Sequence, residues 1–342
     1  MKRKVFIALL CLITVCIYLY SLIYTKELSE NISISVTRCI NIIIPSLFIY
    51  MVLSSIIIES GIYRYIFIIL KPLSKFVFSL PTSLFFIFIM GNICGYPIGI
   101  KLINDMYEKG EIDKKTAYVM SASSFAGGPS FLLGMIGVSI YNDEMAGMII
   151  FMSCFAANAL IAIVTNKIFK PCVKTTEISL KKPDLISSIT NSAISIFKIC
   201  AVIVSFSIVT TVLNEVFNKA DSDSAVIIKS FFEITNITNL QNLTSSFMPM
   251  VAIASSFGGL CIILQLKSVT KLSLKYIVLS RLISCPLSAL ICHILIKLID
   301  YKPAAYATVA YSVKLSNISL TGTVMAAILL IFLIFTREKA DV

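Results

Sequence analysis

The chain has one histidine, His293, and no Cys-x-x-Cys pair among its ten cysteines, so ligand spacing supports neither a zinc nor a haem site. Nine of the cysteines, from Cys11 to Cys292, lie in apolar runs where the thiol acts as a small hydrophobe; only Cys172 falls in a loop. Catalytic signatures are missing too. There is no His-Glu-x-x-His, and Ser130 stands in Gly-Pro-Ser-Phe-Leu rather than Gly-x-Ser-x-Gly, which argues against an intramembrane protease. Without a P-loop, any transport is secondary, channel-like or powered by a separate subunit. The expectation is a protein that is not an enzyme and needs no cofactor and no metal.

Charge is scarce as well. Charged residues make up 14% of 342 and hydrophobic residues 58%, with a mean hydropathy of +0.93. Repeated apolar runs of that kind must cross a bilayer, so the expected fold class is all-α: a polytopic helical membrane protein of about ten or eleven membrane segments. The net charge of +11 needs no nucleic acid partner, because lysines gathered in cytoplasmic loops give the same excess. The start Met-Lys-Arg-Lys precedes an apolar run over residues 5–24 that is long enough to span and is followed by no small-x-small cleavage site. It reads as a retained first helix.

What stands out against the apolar background is the stretch from Met90 to Lys101, inside the run 84–103. Gly91, Gly95, Gly99, Pro97, Asn92 and Lys101 are residues a spanning helix avoids, since each weakens the backbone ladder or puts polarity into hydrocarbon. The helix is expected to break there. Irregular backbone at membrane depth survives only when buried in protein or facing a wet cavity, and transporters bind solutes at such breaks. Close packing through small residues would explain the glycines but not Asn92, Pro97 and Lys101 together.

Residues 26–38 read as a polar connection, 39–58 as a span carrying Pro45, and 62–80 as either a poor span or an interfacial or re-entrant helix, given Arg64, Lys71, Pro72 and Lys75. A second interruption falls at 121–130 within 116–140, and 145–168 spans again. Residues 185–213 span, 231–239 are too polar and short to do so, 245–266 are broken at 255–259, and 272–297, holding Arg281 and Pro286, read as an interrupted helix. Residues 320–335 close the chain. Four parts follow: an N-terminal helix and connection (1–35), a first repeat (36–168), a basic linker (169–184), and a second repeat with the C-terminal helix (185–342).

The lysine-rich loops 104–115 and 167–183 are separated by two spans and so share one face, the cytoplasmic one; the acidic turn at Asn142, Asp143 and Glu144 between those spans agrees. If every later segment crosses, Lys267, Lys271 and Lys275 fall outside. Laying Gly91–Gly95 on Ser255–Gly259 pairs Asn92 with Ser256 and Lys101 with Gln265. About five elements per half would turn the second repeat upside down, the inverted plan of secondary transporters.

At Pro45-Ser-Leu-Phe48, Gly95-Tyr-Pro-Ile-Gly-Ile-Lys101 and Phe232-Glu-Ile-Thr235 the chain resembles the sporulation integral membrane proteins of the YlbJ type, which carry nucleoside-recognition Gate domains similar to parts of concentrative nucleoside transporters. The resemblance runs from about residue 45 to 293 and implies a role in endospore formation, with dipicolinate, a small aromatic dicarboxylate, as solute. One segment departs from the pattern: where relatives place amides in Asn-Thr/Ser-x-Pro, this chain has Ser123, Ser124, Phe125, Ala126, Gly127, Gly128 and Pro129. Contacts there must come from hydroxyls and backbone N–H groups.

The expected solute-binding residues are Asn92, Gly95, Tyr96, Pro97, Gly99 and Lys101 from the first break, and Ser123, Ser124, Gly127, Gly128, Pro129 and Ser130 from the second. Glu233, Thr235 and Asn236 join from the short polar segment, Ser255, Ser256, Gly258, Gly259 and Gln265 from the third break, and Arg281 from the helix after it. Half-helix N-termini offer free N–H groups to an anion, and Lys101 or Arg281 would complete its neutralisation. Lys101 could instead snorkel, Arg281 be paired structurally, and Glu233 either couple a proton or cap a short helix. The partners expected are the lipid bilayer and a small anionic solute, with a second copy of the chain or other sporulation membrane proteins left open. A nucleoside carrier, or an assembly factor that transports nothing, are the other functions to weigh.

Overall fold

The computed structural model describes residues 15, 18–66, 68–174, 182–216, 223–241 and 244–302. Most of the expected first helix, the centre of the basic linker and the closing helix lie outside them. The described chain is helical throughout, and its halves pack into one unit.

Helix α1 (Thr25–Arg38) occupies what the sequence suggested was a polar connection. Its amides continue the turns before it, and its polar side chains have a partner surface: Asn31 donates to Thr211 at 2.8 Å and Ser207 donates to Ser35 at 2.8 Å. A bonded polar seam is what lets so hydrophilic a helix pack. Helix α2 (Ile44–Ser60) starts with Pro45 in its first turn, where a missing N–H costs nothing, and stops at Gly61 in the left-handed conformation. Residues 62–80 form no continuous helix. A single turn at Tyr63–Ile66 and a π-wound turn at Leu73–Val77 flank Lys71 and Pro72.

Helices α3 (Thr82–Ile93) and α4 (Tyr96–Glu108) are joined at Cys94 and Gly95. They form a hairpin rather than one bent span, because Gly91 and Gly99 lie face to face: a Cβ added to Gly99 would stand 2.7 Å from the Gly91 Cα. Helix α5 (Lys114–Ser123) unwinds over residues 124–129 and resumes as the π-wound α6 (Ser130–Ile140). Helix α7 (Glu144–Phe169) then returns along the whole molecule, about 39 Å at 1.5 Å per residue. Asp113 and Asp143 cap α5 and α7 by accepting from the amides of Thr116 and Met145. The Thr116 hydroxyl and amide hold the Asp113 carboxyl below its ordinary pKa.

In the second half α8 (Leu185–Ser205) and α9 (Ser207–Val216) follow one another. Helix α10 (Asp223–Phe232) and the 3-10 turn Ile234–Asn239 make a second hairpin, closed where the Gln241 amide donates to Asp223 at 2.9 Å. Helices α11 (Met248–Phe257) and α12 (Gly259–Val269) meet at two left-handed glycines. Helix α13 (Lys275–Leu298) is unbroken, contrary to the interruption its proline suggested. Pro286 removes one ladder bond, a loss that neighbouring helices and serines make tolerable within a bundle.

Among the described residues, four helical stretches are long and apolar enough to cross a membrane: Glu144–Phe169, Leu185–Leu213, Met248–Val269 and Lys275–Leu298. Leu47–Ser60, Thr82–Ile93 and Ser130–Ile140 are shorter apolar helices. At one end of α7 the basic loops converge. Lys271 pairs with Glu108 at 3.0 Å, Lys109 with Glu59 at 3.7 Å, and the Lys174 amide donates to Glu111 at 2.8 Å. The Lys271 ammonium holds the Glu108 carboxyl below its ordinary pKa. At the other end Tyr301 donates to Asp143 at 2.5 Å, and Asp223 adds to the burial that pushes the Tyr141 phenol up.

Lys271 thus lies beside the 104–115 loop, not on the opposite face as full crossing of every segment required. The physical reason is the hairpin at 223–241, which enters and leaves on one side and changes the parity of everything after it. In a Cys172→Ser background, cysteines at Lys109 and Lys271 should both react with an impermeant maleimide from the cytoplasmic face, and one at Asn142 from the other. Opposite sidedness of Lys109 and Lys271 would break this arrangement.

Candidate functional site

The breaks of three elements meet in the interior. Their approach is set by glycine: a Cβ at Gly91 would fall 2.6 Å from the Ser124 carbonyl oxygen, one at Gly99 2.3 Å from the same atom, and one at Gly128 2.8 Å from the Ile93 carbonyl oxygen. Gly95 has φ +102°, which a side chain rarely adopts. The tip of the first hairpin therefore sits on the unwound part of α5–α6 through backbone alone. The second hairpin does the same on the α11–α12 break, where a Cβ at Gly259 (φ +86°) would lie 3.1 Å from the Ile234 nitrogen and 3.2 Å from the Phe232 carbonyl.

Broken helices leave their last carbonyls without partners. Here buried side chains take them, Arg281 most of all. Arg281, 1% exposed, donates to the carbonyls of Ala122 (2.7 Å), Phe125 (3.1 Å) and Ser256 (3.2 Å), to Ser280, and at 3.5 Å to Asn158, while its guanidinium lies 4.9 Å from the centre of the Phe125 ring. Asn158 donates to Asn92 at 2.8 Å and to the Phe125 carbonyl at 2.9 Å, and Asn92 donates to the carbonyls of Phe88 and Ser123. Tyr96, packed on Phe125, donates to the Ser255 carbonyl at 2.5 Å. The Ser256 and Ser284 hydroxyls bond each other at 2.7 Å. Three hydroxyls at the breaks, those of Ser123, Ser124 and Ser255, are buried with no partner among the described residues.

So Asn92, Gly95, Tyr96, Pro97, Gly99, Ser123, Ser124, Gly127, Gly128, Ser255, Ser256, Gly258 and Arg281 come together or border one another, with Pro129 and Ser130 opening α6 and Gly259 under the second tip. Amides absent from 123–129 are supplied by Asn92 and Asn158. Glu233, Thr235 and Asn236 form the second tip. Glu233 caps the 3-10 turn by accepting from the Thr235 amide at 3.1 Å and from the Thr235 hydroxyl, and lies 3.8 Å from Arg38, which donates to Thr235 at 2.6 Å. Gln265 is buried in α12 and donates to Cys261.

Lys101 lies elsewhere. It is buried halfway along α4, bonded to Asp105 at 2.8 Å and within 3.4 Å of Ser55, on a polar cleft of about 480 Å³ at the basic end. That cleft, between α2, α4, α8 and α12, is lined by five lysines, at 101, 109, 198, 267 and 271, and three carboxylates, at 59, 105 and 108. Sequence reasoning passed over Asn158 and Lys198. Each was visible as a lone polar residue near the middle of an apolar run, the feature already used for Asn92.

These features define a class: a multi-pass, all-helical integral membrane protein whose interior is built on broken helices and bonded polar groups. Over 122 residues, 36% of the chain, it is 24% identical to "Sporulation integral membrane protein YlbJ" of Bacillus subtilis (strain 168), and is its distant homologue there. The match covers 30% of that protein's length. No family model and no solved structure matches the chain.

Gly99→Ala should lower the melting temperature of the detergent-solubilised protein, since overpacking against fixed backbone costs about 1–3 kcal/mol. Arg281→Met should cost more, at roughly 1–3 kcal/mol for each of several orphaned carbonyls. Unchanged melting of both variants would show that the crossing does not hold the fold.

Proposed function

We propose that this protein is a sporulation-associated membrane carrier moving a small organic anion, with dipicolinate the solute that the resemblance implies. No catalytic step belongs to this reading. The observation that carries it is the paired arrangement of a hairpin tip seated on the break of a following helix, made once from the basic end and once from the acidic end. Such an arrangement supports two inverted repeats, the plan by which carriers alternate access around a midplane site.

The repeat register differs from the one suggested by glycines and serines in the sequence. Hairpin 82–108 corresponds to hairpin 223–241, and the broken element 114–140 to 248–269, so Gly128 rather than Gly95 is the counterpart of Gly259. The unpartnered hydroxyls of Ser123, Ser124 and Ser255 are the groups that a solute at the crossing would meet. A role in spore formation rests on the similarity to the Bacillus subtilis protein.

A second reading has an observation of its own. Every N–H of Arg281 is already directed at protein acceptors, so the crossing offers hydroxyls and amides but no spare cation. That chemistry suits a neutral polar solute such as a nucleoside. Purified protein in liposomes, given radiolabelled dipicolinate and uridine side by side, decides between them: saturable dipicolinate movement is expected, and uridine alone moving would favour the second reading. Movement of neither would leave a non-transporting assembly factor.

A further inference from the structure

The ion pairs in the basic-end cleft do not balance. Lys101 is bonded to Asp105, Lys109 to Glu59 and Lys271 to Glu108, which uses all three carboxylates of the lining. Lys198 and Lys267 are left with no bonded partner among the described residues. Lys198 is the more telling of the two. It stands halfway along the apolar stretch Leu185–Leu213, roughly 20 Å of helix from its start at 1.5 Å per residue, where an ionised side chain is expensive unless it serves a pathway.

Lys198 reaches that depth along a polar stripe on α8. Ser188, Asn191, Ser195 and Lys198 recur at helical spacing, and all line the cleft. The neutral groups nearby are already engaged: Ser195 donates to the Asn191 carbonyl, Ser268 to the Gln265 carbonyl and Thr270 to Asn104. The donors to spare are the two ammonium groups. A cleft of about 480 Å³ lies in the size range of small-molecule sites.

We infer that this cleft is an entry site for a small organic dianion, with Lys198 and Lys267 each taking one carboxylate. The inference deepens the anion-carrier reading and rests on it. It also moves the anion-recognising charge away from Lys101, whose ammonium is committed to Asp105, and away from the crossing, whose one cation is fully bonded to protein. A dicarboxylate is favoured over a monocarboxylate because two cations, both exposed on the cleft, stand without a carboxylate beside them, and only a dianion offers one charge to each.

The test uses full-length protein in neutral-lipid nanodiscs, with pyridine-2,6-dicarboxylate and pyridine-2-carboxylate as probes. Lysine acetylation read by peptide mass spectrometry should show Lys198 and Lys267 protected by the dicarboxylate and Lys302 not, with the monocarboxylate at least tenfold weaker. Lys198→Gln should weaken dicarboxylate binding tenfold or more, and Lys198→Arg should stay within a few-fold of the parent. The acetylation readout needs no variant, so poor folding of Lys198→Gln does not spare the idea. If liposomes move the dicarboxylate while Lys198 goes unprotected and Lys198→Gln transports normally, this site is wrong and the carrier reading stands. If the parent neither binds nor moves it, both fall. Equal protection by vesicles of phosphatidylglycerol would make the cleft a lipid-headgroup site and overturn the proposal.

Discussion

A guanidinium held by carbonyl ends, with no carboxylate bonded to it among the described residues, is the contact on which the interior depends. Burying an ion without compensation costs far more than a domain's net stability. Arg281 meets that cost through the partial negative charge at the C-terminal ends of α5 and α11, whose last carbonyls would otherwise be orphaned. The dependence is mutual: unwound helices supply acceptors only because they are broken, and they stay broken at membrane depth only because a buried donor fork reaches them. Asn92 and Asn158 complete the set, tying the first hairpin and α7 to the same carbonyls.

Around this centre the molecule separates two kinds of polarity. The crossing is neutral apart from one saturated cation and is closed by backbone contact between glycines. The charged cleft lies toward the basic end, where lysines from α4, α8 and α12 converge. Lys101 belongs to the charged cleft although it lies only two residues beyond Gly99, because α4 runs away from the break toward the basic end.

The breaks themselves were legible in the sequence. Glycine, proline and serine at 91–99, 124–130 and 255–259 cannot sustain a helical ladder in hydrocarbon, and all three regions are interrupted. What followed each break was not legible. Whether a chain continues across or turns back depends on which glycine faces which, and the contact of Gly91 with Gly99 joins residues on two helices that the sequence presents as one run. The same limit applies to Gly95 and Gly258, which look alike as letters, but one turns a hairpin and the other links two halves of a span. Asn158 and Lys198 were diluted by the apolar residues around them, since averaging over a span removes the single group that matters. Pro286 misled in the other direction, because a bundle can absorb one missing bond.

Both hairpin tips are fastened by main chain meeting main chain, with glycine required on one side and almost nothing required of neighbouring side chains. The scaffold and the polar groups it presents are therefore written in different residues. The close approach of the backbone rests on Gly91, Gly99, Gly128 and Gly259, whereas the hydroxyls of Ser123, Ser124 and Ser255 bond to nothing among the described residues. A fold fastened this way asks few side chains to stay constant, so much of its sequence is free of the task of assembly.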